Sequence, residues 1–283
     1  MKKVAFFTMD VEVFSDTSCV KDNAAFEETD VIDGLKSYVA LLKKYGVPAT
    51  FFLTERSIER WGNVIGELAN DGNEFAVHSR VHEPVLGYSR EKFRADIGKV
   101  RDEILSGFGQ TANGYRSPCF GVNEDIISYL KELGFKYDSS ALNFKRAIHS
   151  GHLDLSGYNQ INSIIFEKGG FYEIKPPVAK SLFGQIPVCG GGYMRLVPWL
   201  VMKSLFKKFV KKENAYLFYV HPFELFDGRL LLPEGIPAGE RMYLTRGRSS
   251  YLYKIEQMIK ILLKEKYEFH TIGKYIDENG VGI

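Results

Sequence analysis

The sequence is poor in cysteine, with Cys19, Cys119 and Cys189 the only three in 283 residues. They are odd in number, far apart and without C-x-x-C spacing, so neither a disulfide framework nor a zinc knuckle is expected, and a reducing, cytoplasmic setting fits best. Charge of one sign is also scarce. The formal net charge is +2 and no Lys/Arg run is interleaved with aromatics, which argues against nucleic acid as a partner. Long apolar runs are missing, since no stretch approaches the roughly 18 uncharged apolar residues of a membrane-spanning helix. The apolar run over residues 4–9 is too short for a signal-peptide core and ends on a carboxylate, so it reads as a strand and not as an export signal.

What is present is ordinary for a globular protein: 45% apolar and 25% charged residues. The length suits one domain over residues 1–283. Short apolar runs alternate with helical periodicity. Strands are expected at 4–9, 49–53, 74–77, 113–116, 135–138, 215–220 and 267–272. Helices are expected at 31–45, 57–69, 89–105, 123–133, 197–210 and 250–263, several of them closed by glycine. Residues 143–177 are less regular, with Gly169-Gly170 between apolar pieces, and are expected to form loops plus an extra hairpin. Repeated strand–helix units predict an α/β fold with parallel strands, a distorted (β/α) barrel of seven or eight units. In such barrels chemistry is carried by polar residues at the C-terminal ends of strands. Asp10, His78, Arg116, Asp138 and His221 all stand there.

His78-Ser79-Arg80-Val81-His82 spaces two imidazoles four residues apart, which brings both to one face if the segment turns helically, and two neutral nitrogens can hold one metal ion. Two ordinary histidines are the plainer reading. Thr8-Met9-Asp10-Val11-Glu12 ends the first strand with carboxylates at i and i+2, on one face of an extended chain. One could hold a metal and the other act as base, or either could cap a turn or pair with a lysine. Arg116, before Ser117-Pro118, could fix a carboxylate through paired hydrogen bonds, and Asp10 is the assigned partner; bridging loops is its simpler task. His221 closes the apolar strand Phe218-Tyr219-Val220, well placed as a general acid for a departing amine unless it is a satisfied buried histidine.

With these features in order, the chain resembles the polysaccharide deacetylase superfamily with NodB homology, carbohydrate esterase family 4. Thr8-Met9-Asp10-Val11 is similar to its T-F-D-D motif, His78 to His82 to its H-S/T-x-x-H motif, Arg116-Ser117-Pro118 to its R-x-P motif, and the strand before His221 to its catalytic-histidine strand. Asp10-Val11-Glu12, Gly190-Gly191-Gly192-Tyr193 and His221-Pro222-Phe223-Glu224 resemble most closely a subgroup with D-V-E, G-G-G-Y and H-P-W-E that is linked to exopolysaccharide biosynthesis. The resemblance implies removal of an N-acetyl group from an amino sugar in a polysaccharide or glycan precursor. It implies a divalent ion, zinc foremost with cobalt or manganese as alternatives, bound by His78, His82 and one N-terminal carboxylate. Asp10 would be the base, Arg116 its orienting partner, His221 the acid and Asp138 the residue that tunes His221, although a turn-capping task suits Asp138 as well. A catalytically inactive carbohydrate-binding barrel and a hydrolase of a small non-sugar amide or ureide, as in allantoinase-like relatives, remain alternatives.

Two departures matter. Val11 replaces the family's second Asp, and because valine has no donor atom while hydrolytic zinc sites usually have three protein ligands, Glu12 is the expected third ligand. Cys119 replaces the aromatic after R-x-P, leaving its backbone N–H for an oxyanion without a stacking contact. Pro118, Cys119 and Tyr193 are the expected substrate contacts, with Tyr193 stacking on a sugar ring. Gly190 to Gly192 match no phosphate loop and are expected to allow positive φ in a tight turn. The segment 198–212 carries Met202, Leu205, Phe206, Phe209 and Val210 on one face and five lysines toward the other. It either packs on the barrel or docks peripherally on an anionic membrane.

Overall fold

The computed structural model describes residues 2–17, 28–69, 71–142, 151–181 and 184–280. Cys19, part of the 143–177 segment and residues 182–183 therefore lie outside the described residues. Among the described residues twelve strands are formed: β1 (Lys3–Val11), β2 (Ala49–Thr54), β3 (Glu74–Ser79), β4 (Gly114–Tyr115), β5 (Tyr137–Asp138), β6 (Asn159–Gln160), β7 (Ile165–Lys168), β8 (Phe171–Ile174), β9 (Val178–Ser181), β10 (Gly184–Pro187), β11 (Ala215–Val220) and β12 (Tyr267–Phe269). One sheet runs in the order β11-β1-β2-β3-β4-β5-β8-β7-β6, with β12 pairing the start of β1, and β9 and β10 make a separate hairpin. Pairing is parallel from β11 to β8 and antiparallel from β8 to β6. The expected hairpin is β7–β8, turning at Gly169 and Gly170, both with positive φ.

The α/β barrel takes the form of a curled mixed sheet, a half-barrel; among the described residues no pairing joins β6 to β11. Helices Ile32–Tyr45, Glu55–Ala69, Arg90–Phe108 and Glu124–Glu132 connect successive parallel strands, and Trp199–Lys212 and Tyr251–Lys264 precede β11 and β12. Strand alternation divides the core in two. Odd residues of β1 and its extension, Ala5, Phe7, Met9, Val11 and Val13, join Phe51, Phe75 and Phe218 beneath the helices. Even residues Val4 and Phe6 join Phe52, Ala76, Leu217 and Ile174 on the concave side. Continuing that even series gives Thr8, Asp10 and Glu12, so the concave face changes from apolar to polar toward the C-terminal strand ends.

The last apolar stretch differs from expectation. Residues 267–272 are not one strand: β12 ends at Phe269, and Thr271 caps a further helix, Ile272–Asn279, by accepting from Lys274 N. A threonine before an apolar-periodic segment is a helix start, and this helix buries Ile272 and Ile276 against Val4 and Phe6. Helix Trp199–Lys212 buries Met202, Phe206, Phe209 and Val210, and Leu205 packs half-buried on the same core. The apolar face that a membrane would have taken is therefore covered. Among the described residues no helix is long and apolar enough to cross a membrane.

Candidate active site

Glu12 stands just past β1, where Glu12 N donates to Asp10 O at 3.0 Å. This tight turn keeps Glu12 on the side of Asp10, while Val11 is fully buried in the helix-side core. Glu12 Oε1 lies 3.0 Å from both His78 Nε2 and His82 Nε2. His78 ends β3; residues 80–82 form bends and not the helical turn expected from the four-residue spacing. The two rings converge nonetheless, with centroids 5.3 Å apart. All three side chains are buried and their ligand atoms lie within 4.8 Å of one another.

Hydrogen bonding fixes how His78 faces this group. Its Nδ1 is 2.6 Å from Arg116 O, a carbonyl that can only accept, so Nδ1 carries the hydrogen. Nε2 then turns toward a carboxylate oxygen, an arrangement that calls for a cation or a proton between them. Two imidazoles and a carboxylate are a donor set that suits a divalent ion such as zinc. Burial opposes ionisation of Glu12, yet charge on His82 and His221 and hydrogen bonds from His78 and His82 outweigh it, holding the carboxyl well below its usual range. Burial likewise favours neutral His82, and Glu12 reverses the direction upward.

Asp10 receives Arg116 Nη1 at 2.6 Å in a fully buried contact. The contact is single and not the bidentate pair expected: Nη1 also donates to Thr8 Oγ1, and Nε and Nη2 go to Ser139 O and Ser139 Oγ. His221 follows β11, with Nε2 3.8 Å from Asp10 Oδ2 and 3.8 Å from Glu12 Oε1. Its Nδ1 lies 3.1 Å from Glu224 Oε2. Arg195, also fully buried, donates from Nε to Glu224 Oε1 at 3.1 Å and to the carbonyls of Tyr243 and Arg246. Burial pushes the His221 pKa down, but Glu12, Glu224 and Asp10 together raise it to about 9.

Residues 28–137 match the polysaccharide deacetylase family, and residues 146–277 match a domain of unknown function, DUF3473. Each match covers less than half of the chain, which is thus similar to the polysaccharide deacetylase family over its first part and to DUF3473 over its second. A peptidoglycan deacetylase of Helicobacter pylori is 28% identical over 109 residues, 38% of this chain and 37% of that protein, so little more than a third of that relative is spanned. A Mycobacterium smegmatis structure described as a polysaccharide deacetylase aligns over 98% of this chain and 90% of its own, with 17% identity and a TM-score of 0.64. A family 4 carbohydrate esterase pseudoenzyme from Bacillus anthracis aligns over 98% of this chain and 66% of its own, with 14% identity and a TM-score of 0.53. At these identities the solved structures speak for the fold alone.

Relative to the two matched segments, Asp10 and Glu12 precede the first, His78, His82 and Arg116 lie inside it, and Arg195, His221 and Glu224 lie in the second. Both segments contribute strands to one sheet. Asp138 is elsewhere. Tyr137 points into the concave core, so Asp138, one residue on, faces the helix side, where its partners are Ser140 and Glu173. The carboxylate at His221 Nδ1 is instead Glu224, three residues along the chain. Proline at the first helical position with Glu at the third was its readable signal. Arg195 had none.

Pro118 is buried, and Cys119 and Phe120 both take left-handed φ, +54° and +59°. Ser117 N donates to Ser140 Oγ at 2.8 Å, anchoring this turn. Tyr193 is 43% exposed. The glycines before it are structural. At Gly190, φ is +125° and an added Cβ would stand 1.8 Å from Tyr219 O; at Gly192 it would meet the Tyr243 ring at 2.6 Å.

Proposed function

We propose that the protein is a metal-dependent hydrolase that removes an N-acetyl group from an amino sugar in a polysaccharide or glycan precursor. The observation that carries this is the convergence of His78 Nε2 and His82 Nε2 on one oxygen of Glu12, beside Asp10, which accepts from Arg116, and His221, whose Nδ1 meets Glu224. A divalent ion held by Glu12, His78 and His82, zinc by its donor set, supplies Lewis acidity toward the acetyl carbonyl. Asp10, oriented by Arg116, takes a proton from the attacking water. His221, oriented by Glu224, delivers a proton to the departing nitrogen, and acetate and a free amine leave. Cys119 N–H is the donor for the developing oxyanion, and Tyr193 stacks on the sugar.

Two carboxylates and a histidine around one metal group divide the labour by what each one touches. Glu12 faces the imidazoles, whereas Asp10 faces Arg116 and keeps its second oxygen toward His221. The subgroup resemblance, through Asp10-Val11-Glu12 and Gly190 to Tyr193, favours an exopolysaccharide precursor as substrate. The test is acetate release from N-acetylated glucosamine oligomers by protein stripped with a chelator and reloaded with zinc or cobalt. Release that depends on metal supports the reading. No release from a panel of acetylated sugars, with turnover of a small amide or ureide, would replace it by the second hydrolase reading.

A further inference from the structure

Among the buried carboxyls that the mechanism leaves without a task are Asp138 and Glu173. Asp138 and Glu173 are register partners on β5 and β8, and both are fully buried on the helix side of the sheet. Both carboxyls accept from the same Ser140 N, Glu173 Oε2 is buried without a hydrogen-bond partner, and two carboxyls brought this close can hydrogen bond to each other only with a proton between them. Glu173 Oε1 accepts from Ala141 N at 2.8 Å and Ser140 N at 3.2 Å, and Asp138 accepts from Ser140 Oγ at 2.6 Å and Ser140 N at 3.1 Å. The turn they grip is the one that serves the site. Ser139 takes the Nε and Nη2 hydrogen bonds of Arg116, and Ser140 Oγ takes Ser117 N.

We propose that Asp138 and Glu173 are positioning residues, a single acid–carboxylate pair that clamps the Ser139-Ser140-Ala141 turn from behind the sheet and so fixes Arg116 and Ser117. The proposal rests on the deacetylase reading for the reaction it assists. The surroundings suit a pair that retains one proton. Tyr115 and Tyr158 face Asp138, Tyr158 also faces Glu173, and burial keeps both phenols neutral. The cation that responds to Glu173 is Lys175, half-buried against the Phe166 ring at 4.0 Å. Burial, reinforced by the neighbouring Asp138 charge, pushes Glu173 well above the usual carboxylate range, and burial raises Asp138 too.

Glu173→Gln places an amide where the protonated acid stands, keeping a donor for Asp138 and an acceptor for the turn. Glu173→Ala removes both. With zinc-loaded protein and acetate release as the readout, Glu173→Gln is expected to retain kcat, whereas Glu173→Ala loses about 10²-fold in kcat with KM and metal content little changed, the pattern of a displaced catalytic group. Ser140→Ala, which severs the link to Ser117 without removing a carboxyl, is expected to lose kcat in the same direction.

The proton is read separately by thermal melting. A raised folded pKa means that the native protein keeps a proton the unfolded chain releases above about 4.5, so this contribution is full below that pH and declines as pH rises toward the folded value. Wild type should lose Tm from pH 5 to pH 8 more steeply than Glu173→Gln. Equal slopes, wild-type kcat in Glu173→Ala or in Ser140→Ala, or a Glu173→Gln as damaged as Glu173→Ala would each overturn the proposal. If wild type released no acetate from any sugar, the reaction reading would fail while the melting comparison still decided on the pair.

Discussion

Glu12 Oε1 sits 3.0 Å from His78 Nε2 although the neighbouring Val11 points away into the helix-side core. A turn of one residue past β1 has thus carried a carboxylate to the imidazoles. Glu12→Ala should therefore strip the metal, while Asp10→Asn should keep it and lose turnover by about 10²–10⁴-fold as a base does. Zinc content after desalting, beside acetate release, checks both. An Asp10→Asn protein without metal and a fully loaded Glu12→Ala would exchange the two roles.

His221→Ala is expected to retain metal and to lose about 10²–10⁴-fold in kcat, because proton delivery contributes only in the transition state. Without metal, burial lowers the His221 pKa but Glu12, Glu224 and Asp10 raise it to about 9. The charged form is the acid, so activity should fall as pH rises through its folded pKa. A dication nearby repels the imidazolium, so the alkaline limb of the kcat profile should lie below about 9. In metal-free protein the same group adds stability that is full below about 6.5 and is lost as pH rises toward 9. Melting of wild type and His221→Ala across that window reads the difference.

Arg195 and Glu224 form a fully buried ion pair at 3.1 Å. Burial opposes ionisation of Glu224, and His221 and Arg195 outweigh it and lower its pKa. Arg195→Ala would leave that carboxylate uncompensated and is expected to destabilise the fold by about 3–5 kcal/mol. Arg195→Lys should not restore it, since one ammonium cannot reach Glu224 and the carbonyls of Tyr243 and Arg246 in the geometry of a guanidinium. The pair's contribution from Glu224 is present above pH 4.5 and is lost as pH falls through the lowered folded pKa. Denaturant midpoints at pH 7 and pH 4 measure both effects.

Gly190 holds φ at +125°, and a Cβ there would overlap Tyr219 O at 1.8 Å, two residues before His221. Gly190→Ala should destabilise by at least about 2 kcal/mol through backbone strain and displacement of β11. Gly87, whose added Cβ would meet nothing within 4 Å, is the control. A Gly190→Ala protein that melts with wild type would show the contact to be dispensable.

Periodicity alone marked the parallel strands, the helices between them, and the positions where apolar runs end in Asp10, His78, Arg116 and His221. It could do so because the strand period of two and the helix period of 3.6 are local properties of the chain. The same locality brought Glu12 into view, two residues from Asp10 on the same side. Where a strand is only two residues long, as at β5, local pattern does not say which face each residue takes. Asp138 ends its strand as read, yet the pairing of β5 with β4 and β8 turns Tyr137 to the concave core and Asp138 to the helices beside Glu173. Likewise Arg195 reaches Glu224 across 29 positions of sequence, and Ser139 reaches Arg116 across 23. Those partners are chosen by strand register and close packing, which bring distant residues to one place without leaving a mark in the spacing of either segment.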